Sequence, residues 1–172
     1  MLILHIRAHA SGTFAPVTLH YDHATAWLKR MHESLVAHTA FRRLAQLRAI
    51  CDRELAELCQ QYPEISLAVV ATADARLISM HSTIAQDGNR IAAMTGSLLG
   101  LCESLARELA GGSCQSTVVS MEHYTCIIVR IADPRHPLSL AIGVGHNILL
   151  ALSRRVALDL ATRLSMQLQR LA

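Results

Sequence analysis

Aromatic residues are scarce in this 172-residue chain: one Trp, three Tyr and two Phe, 3% in all. A core must therefore be built from Leu, Ala, Val and Ile. Charge is also sparse, at 17%, with a net value of +3 and no local concentration. No Lys/Arg cluster interleaved with aromatics occurs, which speaks against nucleic acid as a partner. No apolar run reaches the length of a membrane span. The opening Met1–Arg7 has too short an apolar stretch for a secretion signal. None of the five cysteines (Cys51, Cys59, Cys102, Cys114, Cys126) forms a C-x-x-C pair. They read as reduced, mostly buried thiols of a cytoplasmic protein. The chain lacks G-x-x-x-x-G-K-[ST], so it is not itself a P-loop GTPase, and it lacks G-x-S-x-G.

What is present is a folded, rather apolar composition, 52% hydrophobic, long enough for one domain plus an extension. The boundary is placed at residues 1–40 and 41–172. In the extension, alternation over residues 1–23 suggests a loose hairpin, and Ala24–His38 a weak helix. Met31 is a second candidate translation start. From Phe41 the pattern is firm. Phe41, Leu44, Leu47, Cys51, Leu55, Leu58 and Tyr62 recur at helical spacing, and Pro63 stops the helix. Ile65–Thr72 is a continuous apolar run and reads as a buried strand. Arg76–Ser82 alternates as its hairpin partner across Ala73-Asp74-Ala75. A long helix follows, with Asp87 as N-cap and Gly111-Gly112 at its end. Strands are predicted at Gln115–Met121, His123–Ile131 and Leu138–Val144. A last helix opens near His146-Asn147, with Leu149, Leu152, Val156, Leu160, Leu164, Leu168 and Leu171 as its stripe. The order α-β-β-α-β-β-β-α predicts an α+β domain with helices on one antiparallel sheet.

The central helix is the most telling element. Its twelve residues Ile91–Cys102 carry no charge, although a surface helix normally keeps a solvated face. Ile91, Met94, Leu98, Leu101, Leu105 and Leu109 form a stripe expected to face the sheet. Ala92, Ala93, Gly96 and Gly100 lie on the other side, continued by Glu103 and Arg107 as an i,i+4 pair. Two glycines inside a helix cost about 1 kcal/mol each relative to Ala. Close approach of another backbone would offset that, from a second subunit or from elsewhere in the chain.

Candidate chemistry is thin. Six of the ten histidines fall in residues 1–38, and His20-x-x-His23 could offer two zinc ligands. No Cys or further carboxylate closes the set, so no metal site is expected. Ala141-Ile-Gly-Val-Gly145-His-Asn147 ends a strand and opens a helix, as phosphate loops do, but lacks the third glycine and the βαβ setting. Cys126 with a neighbouring His is a conceivable nucleophilic pair, and inert buried Cys is the plainer reading. No catalytic residue is expected.

Several stretches resemble the Roadblock/LC7 family. They are Tyr62-Pro-Glu-Ile-Ser-Leu-Ala-Val-Val-Ala-Thr72, Asp74-Ala-Arg-Leu-Ile78, Ile91–Leu109, Ser139–Val144 and Asn147–Arg154. Ala75 stands where the family usually has a turn glycine. The resemblance implies a profilin-like sandwich, a five-stranded antiparallel sheet with the central helix on one face and the terminal helices on the other. It implies a homodimer formed through the central helices and the edge strand after them. The expected interface is Ala92, Ala93, Gly96, Gly100 and Glu103 on the helix with Thr117, Val118, Val119 and Ser120 on the strand. It further implies a non-enzymatic adaptor or regulator without cofactor, acting on a Ras-like small GTPase or in a signalling or motility complex. The alternative function is small-molecule sensing, favoured by a sizeable pocket lined by His81, Tyr124 or Cys126.

Overall fold

A computed structural model describes residues 21–133 and 137–170. The chain divides into two compact units, Met1–Phe41 and Arg42–Ala172. The first strand-like stretch and His20 lie outside the described residues. Tyr21, expected at the end of a strand, already lies in a helix. The weak helix of the extension and the firm one after it are one element, α1, Tyr21–Gln61.

The second unit has the expected element order. After α1 come β1 (Ile65–Thr72), β2 (Leu77–Ser82), α2 (Gly88–Glu108), β3 (Ser116–Ser120), β4 (Tyr124–Ile131), β5 (Leu138–Gly145) and α3 (Leu150–Gln169). The five strands form one antiparallel sheet in the order β2-β1-β5-β4-β3. β5 is buried along nearly its whole length, which explains its lack of polar alternation.

Strand alternation divides the side chains between two layers. Ile127, Val129 and Ile131 of β4 and Leu138, Leu140, Ile142 and Val144 of β5 point to one side. There they meet Cys51, Leu55 and Leu58 of α1 and Val156, Leu160 and Leu164 of α3 in the main core. Glu54 is buried between the same two helices and accepts hydrogen bonds from Arg163 Nε and Gln167 Nε2. Ser79 of β2 donates to Asp52, tying α1 to the sheet edge. The opposite layer is thin: Leu99 of α2 meets Ile128 and Ala141, with Leu98 and Cys126 beside them.

α3 begins at Leu150 rather than at His146-Asn147. His146 is used elsewhere: its Nε2 lies 3.1 Å from the Met121 carbonyl and 2.7 Å from that of Glu122, holding the β3–β4 turn. A single nitrogen bonding two carbonyls must carry the proton. Gly145, once a candidate phosphate-loop glycine, sits under the Asn147 side chain: a Cβ there would come within 2.9 Å of Asn147 Oδ1.

Candidate functional site

α2 starts as the sequence predicts. The Asp87 carboxylate accepts from the backbone N–H groups of Asn89 and Arg90, 3.0 and 3.3 Å away. It ends in a Schellman arrangement: Gly111 N–H donates to Ala106 O and Ala110 N–H to Arg107 O. The left-handed position is taken by Ala110, φ 51°, one residue before the glycine expected there.

The roll of α2 about its axis differs from expectation. The residues buried on the sheet are Gly88, Ala92, Thr95 and Leu99. The leucine stripe faces out: Leu101, Leu105 and Leu109 are 68%, 58% and 71% exposed, and Met94 51%. At 100° per residue the two lines lie roughly a third of a turn apart. The physical reason lies in β5, whose side toward α2 carries Ala141 and Gly143. Over that strand Leu99 fills the space above Ala141, with the small Ala92 and Thr95 on the same buried line of the helix. The alternation of β5 carried that signal in the sequence; reading α2 alone missed it.

Each expected interface residue has a definite place. Ala92 is fully buried inside the protomer. Gly96 meets the β1–β2 turn: a Cβ on it would lie 3.2 Å from Ala75 Cβ. The close backbone approach inferred for Gly96 therefore exists, within the chain. Glu103 is half-buried and pairs with Arg130 of β4, Oε1 to Nη2, 2.5 Å. Ala93 and Gly100 are exposed, and a Cβ on Gly100 would meet nothing within 4 Å. Thr117, Val118, Val119 and Ser120 form the edge strand β3, which among the described residues pairs only with β4. Thr117 and Val119 pair with Ile128 and Cys126, placing them on the α2 side.

α2 lies chiefly over β1, with β2 and β5 beside it. Beyond it, toward β3, the sheet face is open. Between α2 and that open face lies an apolar cavity of about 330 Å³, with Ile91, Met94, Leu98, Val119, Tyr124 and Cys126 among its walls. The expected pocket lining is met for Tyr124 and Cys126, while His81 is not part of it. Burial pushes the Cys126 thiol up to about 11, so the sulfur stays protonated where a nucleophile would need the thiolate. No group of three or more metal-binding side chains occurs among the described residues. Nor is any described helix long and apolar enough to cross a membrane.

The two-layer arrangement defines a profilin-like α+β sandwich. Residues 52–134 match the Roadblock/LC7 domain family. The Roadblock/LC7 domain from Streptomyces avermitilis aligns with 69% of this chain and 97% of its own, at 20% identity and TM-score 0.62. Myxococcus xanthus MglB aligns over 75% and 92%, at 15% identity and TM-score 0.62. Profilin from Schizosaccharomyces pombe aligns over 68% and 98%, at 12% identity and TM-score 0.51. No curated protein matches the sequence significantly.

Proposed function

We propose that the chain is a homodimeric, non-enzymatic adaptor or regulator of a Ras-like small GTPase, working in the cytoplasm without a cofactor. The observation that carries this reading is the bare leucine stripe of α2 beside an open sheet face and an unpaired strand edge. Three leucines more than half exposed in one stripe form a patch that soluble monomers rarely tolerate. An unpaired edge is a template for another strand. A second copy set antiparallel along β3 would pair Thr117–Ser120 with their equivalents and bring the two α2 stripes together over the open half-faces. Met94, Leu101, Leu105 and Leu109 then form the helix half of the interface. Ala93 and Gly100 flank it, while Ala92, Gly96 and Glu103 hold α2 in place from within. The GTPase link is supported by the family that residues 52–134 match.

The test is light scattering on the wild type and on Leu101→Glu with Leu105→Glu. The wild type is expected as a dimer and the variant as a monomer with unchanged far-UV circular dichroism. A monomeric wild type would falsify the interface. Capture from the native cells by wild type and variant, read for GTP-binding proteins, tests the partner: a small GTPase held by the wild type alone is expected.

A further inference from the structure

We infer that the cavity between α2 and the sheet binds a small, uncharged apolar molecule, of the size of a medium-length alkyl chain or a single ring. Its volume of about 330 Å³ lies at the lower end of the range for ligand sites. It is a built depression. Small residues from three elements line it: Ser66 of β1, Gly143 of β5 and Thr95 of α2. Ile91, Met94 and Leu98 wall it on the helix side.

The lining decides the ligand class. It contains no Lys, Arg, Asp, Glu or His. Its one sulfhydryl is neutral, since burial holds Cys126 protonated. Ser66 Oγ is already engaged, donating to the Gly143 carbonyl. An ionised ligand would lose its hydration with no counter-charge to replace it, at a cost of kilocalories. An uncharged apolar molecule avoids that loss of charge hydration and gains the wall contacts. Thr95, Tyr124 and Gln86 are the other lining residues with a polar group for a single hydroxyl or carbonyl on the ligand.

The cavity shares Met94 and Val119 with the seat proposed for a second copy, while Leu101, Leu105 and Leu109 do not line it. Its helix wall is the N-terminal half of α2. A ligand therefore enters only where the second copy leaves the cavity free, which the Leu105→Glu variant reads.

Cys126 is a built-in reporter. Native protein is treated with N-ethylmaleimide with and without octan-1-ol, and modification is followed by peptide mass spectrometry. Cys114, outside the cavity, is the internal control. Octan-1-ol is expected to slow modification of Cys126 several-fold, leave Cys114 unchanged and raise the melting temperature. Octanoate, the same chain with a charge, is expected to need about tenfold more for the same protection. Protection in both the wild type and Leu105→Glu supports the inference. No protection by octan-1-ol, or equal slowing at Cys114, overturns it. So does a Cys126 that is shielded in the wild type without alcohol and reactive only in Leu105→Glu, because the second copy would then fill the cavity. A wild type that is monomeric by light scattering but still protected by octan-1-ol overturns the dimer reading alone.

Discussion

At the scale of single residues, the molecule keeps alanine in two places where the backbone favours glycine. Ala75, φ 66°, sits in the β1–β2 turn, and Ala110, φ 51°, at the end of α2. The left-handed region costs an L-residue roughly 1–2 kcal/mol, part of which a glycine gives back through its freer unfolded chain. Ala110→Gly is therefore expected to stabilise by about 0.5–1 kcal/mol in urea titrations. Ala75 adds a second effect, because its Cβ occupies the space a side chain on Gly96 would need. Gly96→Ala gains helix propensity of about 1 kcal/mol but must push that methyl aside. In an Ala75→Gly background the obstruction is gone. A double-mutant cycle is expected to show Gly96→Ala more favourable there by about 1 kcal/mol. Gly100 has no such neighbour among the described residues. Gly100→Ala is expected to stabilise the protomer by about 1 kcal/mol without compensation.

At the scale of elements, legibility followed the strength of the hydrophobic signal. β1 was legible to the residue because Ile65–Thr72 is an unbroken apolar run between Pro63 and a turn. The Asp87 cap was legible because a cap acts locally, through two backbone donors. Asp87→Ala is expected to cost about 1 kcal/mol, measured by thermal or urea unfolding. The start of α3 was not legible. His146 and Asn147 look like helix openers, yet their side chains serve the β3–β4 turn and Gly145. The roll of α2 was misread for a more general reason. A periodicity argument assigns the largest apolar residues to the sheet. Here Ala92, Thr95 and Leu99 go in beside Ala141 of β5, while Leu101, Leu105 and Leu109 stay out. The proposed interface accordingly draws on the exposed leucines of α2. Leu105→Glu changes a residue with little to lose inside the protomer, whereas Gly96→Glu would drive a side chain into the β1–β2 turn and damage the fold itself.

At the scale of the whole molecule, the two faces of the sheet have different tasks. The α1–α3 side holds nearly all the large buried side chains, and the α2 side is thin and half open. Stability therefore rests on the first, and alkaline pH probes it directly. Cys51 is fully buried there, and its thiol is pushed up to about 12, first by burial and then by the nearby Asp52 and Glu54 carboxylates. Cys59 is pushed up to about 11 by burial, as is Cys126 on the other face. In the unfolded chain these thiols ionise at 9.0. Their folded values are raised, so the stability they contribute is fully present below pH 9.0 and is lost as pH rises toward the folded values. Above pH 9.0 the unfolded state sheds protons that the native state retains, and unfolding gains up to about 1.4 kcal/mol per pH unit from Cys51 alone. Urea titrations under reducing conditions at pH values on either side of 9.0 are expected to show that decline, with smaller additions from the other two thiols. Cys51→Ala removes the titrating group from the centre of the core. It is expected to lower stability at neutral pH through the lost sulfur contacts, and to flatten the alkaline slope by about 1 kcal/mol per unit. An unchanged slope in Cys51→Ala would mean that the alkaline transition starts elsewhere than in the α1–sheet core.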